Sequence, residues 1–247
     1  MSSDLKDLGK DPDFSVKPAF DENAGEIMDI LSAMTVEEIA VRLGISGQLA
    51  IKARQLAYDF PHKITGIEAL YGFTGEAFKG LDASTLTPDA LENAGKNLKF
   101  ISSVYGLLNA GDIIKPYRYE FNKAVAPGNI TAIQYYKPKV TSHLVSQIKK
   151  DNVTEIINLL PGDADKCIDW KIVKAFAKVY KIYFQEIGED GRLKTPIAKR
   201  LKELRGLMAR KILMENINSF KELTQHPSEH FIYSPEHSKP GMPVFLS

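Results

Sequence analysis

Cysteine is almost absent from this sequence. Of the 247 residues only Cys167 carries a thiol, so the chain cannot form an internal disulfide, and such chains are typical of a reducing cytoplasm. Its charged neighbours Asp165, Lys166 and Asp169 do not form a pattern that identifies a nucleophile. We therefore predict a buried, unreactive thiol and a cytoplasmic location.

Long apolar runs are also missing. The first twenty residues are polar and acidic, unlike a secretory signal. No apolar run approaches the ~20 residues that a membrane-spanning helix needs. We therefore expect no membrane partner.

Sequence motifs of common enzymes are missing as well. There is no Gly-x-x-x-x-Gly-Lys-Ser/Thr loop, no Gly-x-Gly-x-x-Gly after a strand and no Gly-x-Ser-x-Gly elbow. The histidines lack the spacing of a zinc site, and Pro227 interrupts the helix that would align His226 with His230. These absences favour a protein that is not an enzyme and has no resident cofactor or metal.

The composition is that of an ordinary globular protein, with 44% hydrophobic and 26% charged residues and a net charge of +1. Strand and helix patterns alternate irregularly, which predicts an α+β (mixed α/β) fold with a central mixed sheet flanked by helices. Residues 1–20 have no periodicity and read as a flexible arm. Residues 21–247 are expected to form a single domain.

Several elements are predicted from periodicity and turn residues. The patterns indicate helices at about 130–149 and 198–216, a buried strand at 155–160 and a hairpin at 179–195. The run from Phe100 to Leu108 predicts a buried strand or short helix. Residues 77–81 predict a short strand.

Residues 35–57 predict two short helices joined by a tight turn. Thr35 and Glu38 form a capping box that opens the first helix, and Gly44 ends it. Ser46 can cap the second helix. The pattern fits a helix-hairpin-helix, whose second helix binds a phosphate at its N-terminus, or a helix-turn-helix that reads the major groove. A plain helical hairpin in the core is the third alternative. The second helix is mostly apolar, so phosphate contact through Ser46, Gly47 and Lys52 is the better fit.

Two regions concentrate basic residues. From Lys115 to Lys150 seven bases face one acid, Glu120. Pro116 fixes the chain before Arg118, whose planar guanidinium suits an oxyanion, although an internal ion pair with Asp112 or Glu120 is equally possible. The helix from Ala198 has leucines on one face and, on the other, a basic stripe of Lys199, Lys202, Arg205 and Arg210.

Two sequence blocks are specific as a pair. They are Tyr105-Gly106-Leu107-Leu108 followed by Pro116-Tyr117-Arg118, and Arg205-Gly206-x-Met208-x-Arg210. With residues 77–81, 136–138 and 157–159, they resemble the YaaA family of bacterial peroxide-stress proteins over about residues 20–235.

The resemblance implies a mixed α/β fold with a positively charged cleft and a helix-hairpin-helix at about residues 35–57. It also implies DNA binding linked to recombinational repair and to protection from oxidative stress, by limiting free iron or shielding DNA. No catalytic activity is implied.

We therefore expect a non-enzymatic protein of the peroxide stress response that binds the backbone of double-stranded or branched DNA. No protein partner is indicated. The expected DNA and phosphate contacts are Gly44, Ser46, Gly47, Lys52, Lys115, Arg118, Lys137, Lys202, Arg205 and Arg210. The alternative is an enzyme or binding protein for a small phosphorylated or nucleotide-like ligand in the same cleft, with Tyr105, Asp112 and Tyr117 lining the pocket.

Overall fold

A computed structural model describes residues 16–61, 66–189 and 191–247. Helices and short strands follow one another in mixed order, which confirms the mixed α/β class. The described strands form one four-stranded mixed sheet and four two-stranded sheets. Most of the predicted arm, residues 1–15, lies outside the described residues. Within those ranges, no helix combines the length and the apolar character that crossing a membrane requires.

The helices differ widely in length, and a 3-10 turn at Ala83–Thr85 separates two of them. They are α1 (Asp21–Ala33), α2 (Val36–Leu43), α3 (Gly47–Asp59), α4 (Ala69–Gly72), α5 (Glu76–Leu81), α6 (Pro88–Asn97), α7 (Ala132–Lys150), α8 (Gly162–Asp165), α9 (Trp170–Val173), α10 (Ala198–Met214) and α11 (Phe220–Gln225).

The strands are short and mostly paired with a neighbour in sequence. They are β1 (Ile67–Glu68), β2 (Lys99–Ser102), β3 (Gly106–Asn109), β4 (Ile113–Ile114), β5 (Ala124–Ala126), β6 (Ile130–Thr131), β7 (Glu155–Asn158), β8 (Lys178–Lys181), β9 (Tyr183–Ile187), β10 (Leu193–Lys194), β11 (Ile232–Lys239) and β12 (Met242–Leu246). The four-stranded sheet has the order β10-β9-β12-β11, with β9 and β12 parallel.

Most of the predicted elements are confirmed. Thr35 and Glu38 form the capping box of α2, and Gly44 ends that helix with φ +66°. The hairpin predicted at 179–195 is confirmed only from Tyr183 onward, where β9 pairs with β10, because residues 178–181 form the separate strand β8, which pairs parallel with β7. The run 100–108 is a β2–β3 hairpin. The strand predicted at 77–81 is wrong, because these residues belong to helix α5. Five residues are too few to distinguish the two structures by periodicity.

The chain divides into two compact units. Unit 1 contains the described residues up to Thr74, then Gly95–His143 and Gly162–Asp169. Its fully buried side chains include Ile27, Leu31, Ile39 and Leu108. Unit 2 contains Gly75–Ala94, Leu144–Pro161 and Trp170–Ser247.

The core of unit 2 forms where α10 packs on the four-stranded sheet. Leu204 and Met208 of α10 belong to the same buried cluster as Phe184 of β9 and Phe245 of β12. This cluster uses the apolar face predicted for the helix. Its burial supplies the main driving force for folding of this unit.

Glycines allow α5 and α10 to approach each other closely in unit 2. A Cβ atom on Gly206 would lie 1.8 Å from the carbonyl oxygen of Ala77. One on Gly80 would lie 2.5 Å from the carbonyl oxygen of Glu203. Because both contacts are with backbone, a larger residue at either position would force the helices apart.

We expect Gly206→Ala to destabilise the protein by about 1–3 kcal/mol or more, since it overpacks a backbone contact. Gly25→Ala in α1 is the matched control, because a Cβ there would meet no atom within 4 Å. It should stabilise by roughly 0.5–1 kcal/mol, the usual gain from replacing a helical glycine. Thermal unfolding followed by circular dichroism tests both, and equal shifts in Tm would contradict the expectation.

Candidate functional site

The turn between β2 and β3 in unit 1 is held by the hydroxyl group of Ser102. Its Oγ accepts hydrogen bonds from the backbone N–H groups of Val104 (3.1 Å) and Tyr105 (3.0 Å). The same oxygen lies 2.9 Å from the Tyr117 hydroxyl. These residues are buried. One side chain therefore fixes both the turn and the ring of a tyrosine 15 residues further along the chain.

Tyr136 of α7 packs on the same turn. Its hydroxyl donates a hydrogen bond to the carbonyl oxygen of Val104. Gly106 follows the turn with φ +64°, and a Cβ atom there would lie 2.8 Å from the Tyr136 ring. Only glycine combines this backbone conformation with so close a ring. The glycine in the Tyr-Gly-Leu-Leu block is thus required by packing.

The three residues predicted to line a ligand pocket lie in the interior. Tyr105, Asp112 and Tyr117 are 1%, 0% and 5% exposed. The Tyr105 hydroxyl accepts a hydrogen bond from the backbone N–H of Lys115 at 2.9 Å. The Asp112 carboxylate accepts one from the backbone N–H of Asn109 at 2.8 Å, while burial raises its pKa. These bonds are structural, and the ligand-pocket role stays a prediction.

The predicted bases of unit 1 differ in how they are held. The Lys115 Nζ donates to the carbonyl of Phe60 at 2.6 Å and lies over its ring. The Lys137 Nζ is 3.9 Å from an Asp169 carboxylate oxygen. Arg118 is half-buried, and its Nε atom is buried without a hydrogen-bond partner among the described residues. No ion pair joins it to Asp112 or Glu120, and its role as an anion contact stays a prediction.

The helical hairpin of unit 1 presents an exposed turn. Gly44, Ser46 and Gly47 are all exposed, and α3 begins at Gly47. The Ser46 side chain makes no capping hydrogen bond, and the first turn of α3 contains no acid. Lys52 lies one turn further along the helix and is exposed. No acidic side chain of α3 therefore lies beside the backbone N–H groups at the start of this helix.

Sequence reasoning missed two basic residues beside this turn. The Lys123 Nζ lies 3.1 Å from the position of a Cβ atom on Gly44. The Arg42 guanidinium donates to the carbonyl of Ala124 at 3.0 Å and to the Asn129 side chain. Arg42 thereby links α2 to the β5–β6 hairpin, which begins next to Lys123. This contact between residues 82 positions apart left no local signal in the sequence.

The predicted bases of unit 2 lie on α10. Lys202 is exposed, whereas Arg205 and Arg210 are half-buried. The Arg210 guanidinium donates to the carbonyl oxygens of Leu81 (3.1 Å) and Asp82 (3.0 Å) at the end of α5. These bonds satisfy carbonyl groups that a helix end leaves open. Arg210 thus has a structural task in addition to its predicted one.

A groove of about 550 Å³ runs between α5 and α10 in unit 2. Its charged lining alternates in sign and consists of Glu76, Lys79, Asp82, Lys199, Glu203 and Arg210. A lining that combines three bases with three acids does not by itself create a strongly positive surface. The six bases expected in one cleft are divided equally between the two units.

Comparisons with known proteins identify the family of this chain. The protein-family model described as "Peroxide stress protein YaaA" matches residues 2–237. The chain belongs to this family. A UPF0246 protein of Shewanella sp. (strain ANA-3) is 30% identical to it over 93% of this chain and 90% of its own length. A UPF0246 protein of Shewanella amazonensis is 28% identical over 93% of this chain and 89% of its own length. One of Paracidovorax citrulli is 27% identical over 92% of this chain and 88% of its own length.

In this YaaA-family chain, Ser102→Ala should lower the free energy of unfolding by roughly 1–3 kcal/mol, because it leaves buried N–H groups without an acceptor. Ser32→Ala is the control, since that hydroxyl bonds one exposed carbonyl on α1. Urea unfolding measures both. Equal midpoints for the two variants would show that the Ser102 hydroxyl does not hold the turn.

Burial raises the pKa of the Cys167 thiol to about 12. We therefore expect the native protein to react with an aromatic disulfide reagent at pH 8 only through unfolding, since the thiolate is the reactive form. In guanidinium chloride one thiol per chain should react rapidly. Fast reaction of the folded protein would contradict the predicted inert thiol.

Proposed function

We propose that this YaaA-family protein is a non-enzymatic DNA-binding protein of the peroxide stress response. In this proposal the turn Gly44–Gly47 acts as the turn of a helix-hairpin-helix and binds one phosphate of the DNA backbone. The single observation that carries the proposal is the open N-terminus of α3 beside Lys123.

The two helices of the hairpin differ in how their N-termini are satisfied. At α2 the Thr35 side chain accepts from the backbone of Glu38, and Glu38 accepts in return from the backbone of Thr35. At α3 the capping position carries no side-chain hydrogen bond. A phosphate oxygen is a suitable acceptor for these N–H groups, because the helix dipole also favours an anion there.

The positive charges around the turn support the same ligand class. Lys123 approaches Gly44 closely, and Lys52 lies one turn along α3. A bulkier residue at Gly44 would meet the lysine as well as an unfavourable φ. Glycine therefore lets a phosphate approach the backbone and a lysine side chain together.

The remaining predicted bases would add contacts from each unit separately. Arg118 of unit 1 is half-buried, and Lys202 is exposed on α10 in unit 2. Lys115, Lys137, Arg205 and Arg210 complete the proposed set. All of these would bind the phosphodiester backbone, so the affinity should fall steeply with salt and depend little on base sequence.

Ser46→Asp tests the phosphate site without weakening the helix. The new carboxylate would cap α3 and stabilise it, while it occupies the N–H groups and repels a phosphate. We expect DNA affinity to fall roughly 10-fold to 100-fold, since a charge-assisted hydrogen bond contributes about 1.5–3 kcal/mol. Fluorescence anisotropy with a labelled duplex and a four-way junction, across a salt series, measures this.

Ser219→Asp is the matched control. It adds the same charge at the capping position of another helix, α11 in unit 2. The DNA affinity of Ser219→Asp should stay close to that of the unsubstituted protein. If the two variants bind DNA equally well, the hairpin turn does not bind a phosphate. Absence of binding to either DNA at micromolar protein and low salt would overturn it entirely.

A further inference from the structure

We propose that Tyr135, with Glu26 and Asn23, forms a redox-active site that is oxidised by one electron while its phenolic proton moves to Glu26. The site lies in unit 1, where α7 packs beside α1. It involves none of the residues assigned to DNA contact. The proposal therefore goes beyond the proposed function and stands or falls separately from it.

The Tyr135 hydroxyl has both a proton acceptor and a hydrogen-bond donor. It donates to the Glu26 carboxylate. The Asn23 side-chain amide donates to the Tyr135 oxygen at 2.8 Å. A phenol that loses an electron becomes a very strong acid, so an adjacent base is needed for the proton. The amide can then stabilise the phenoxyl oxygen that remains.

Two other buried tyrosines of unit 1 donate to backbone carbonyls. The hydroxyl of Tyr136 donates to the Val104 carbonyl and that of Tyr119 to the Lys123 carbonyl. A backbone carbonyl does not take up a proton near neutral pH. Oxidation coupled to proton transfer is therefore favoured at Tyr135 over these two rings.

The surroundings of Tyr135 suit a protected radical. Its residue exposure is only 9%, and its ring packs edge-on against that of Tyr136 with centroids 5.0 Å apart. Glu26, in contrast, is exposed, so the proton it receives can exchange with water. The phenol is shielded from direct coupling with a second molecule, while its proton has a way out.

Two electrostatic features define the oxidant that the site requires. Burial and the Glu26 carboxylate raise the pKa of Tyr135 to about 12, so the phenol keeps its proton at neutral pH. The Lys139 Nζ lies 4.6 Å from the ring centroid, and a nearby cation opposes the loss of an electron. The oxidant must therefore be strong, such as a hydroxyl radical or a ferryl group formed from a peroxide.

The step balances within the site. Tyr135 gives one electron to the oxidant, its O–H bond breaks and the Glu26 carboxylate becomes a carboxylic acid. A one-electron reductant such as a small thiolate returns the electron, and Glu26 returns the proton. The site would hold an oxidising equivalent for a time in a defined place. Such a sink fits a protein of a peroxide stress family.

Photochemical oxidation of the protein tests the site. Photogenerated tris(bipyridine)ruthenium(III) supplies a one-electron oxidant, and electron paramagnetic resonance after rapid freezing detects the tyrosyl radical. We expect a long-lived radical that Tyr135→Phe abolishes. Glu26→Gln should greatly lower its yield, because the amide accepts a hydrogen bond but takes up no proton. Lys139→Gln should make oxidation easier.

Two control variants separate this site from other tyrosines. Tyr58 is exposed, and Tyr58→Phe should remove only short-lived signal. Tyr180 of unit 2 donates to the Glu155 carboxylate at 3.3 Å. Tyr180→Phe should leave the long-lived radical in place. Near-ultraviolet circular dichroism and Tm would confirm that the variants stay folded. A long-lived radical in Tyr135→Phe, or an unchanged yield in Glu26→Gln, would overturn the proposal.

Discussion

The Ser102 hydroxyl is the interaction on which much of unit 1 depends. It closes the β2–β3 turn through two backbone N–H groups and contacts the buried phenol of Tyr117. Tyr136 reaches the same turn from α7. The turn therefore joins three separate parts of the sequence through buried polar groups. Buried hydrogen bonds of this kind specify one arrangement of the interior, because each broken partner would leave an unsatisfied group.

Unit 2 depends on a different constraint, the close contact of two backbones. Gly80 and Gly206 let α5 and α10 approach until each glycine touches a carbonyl of the other helix. Arg210 then reaches the carbonyls at the end of α5. The Arg-Gly-x-Met-x-Arg block thus combines a packing glycine, a core methionine and a capping arginine. Its resemblance to the family has a structural basis.

Sequence patterns predicted the parts of the fold that arise from local chemistry. The Thr35–Glu38 capping box, the Gly44 stop and the 3.6-residue periodicity of α10 need only a few neighbouring residues. The assignment of residues 77–81 failed because five residues, one of them Lys79, do not define a period. The helix that they form packs against Gly206, which lies far away in the sequence.

The candidate site was predicted only in part for the same physical reason. Residue type indicates what Ser46 or Arg118 can bind, but burial depends on tertiary packing. Tyr105 and Asp112 look like ligand groups beside a turn, and the structure places both in the interior. Lys123 reaches the hairpin turn because the Arg42 side chain holds the β5–β6 hairpin against α2. No spacing rule connects those positions.

The interleaving of the two units affects how the chain can fold during synthesis. The polypeptide passes between them five times, at residues 74–75, 94–95, 143–144, 161–162 and 169–170. Neither unit is one continuous segment, so no single cleavage separates them into two intact pieces. The segment of unit 1 that carries Cys167 leaves the ribosome after two segments of unit 2. Unit 1 can therefore be completed only after residue 169 has been synthesised.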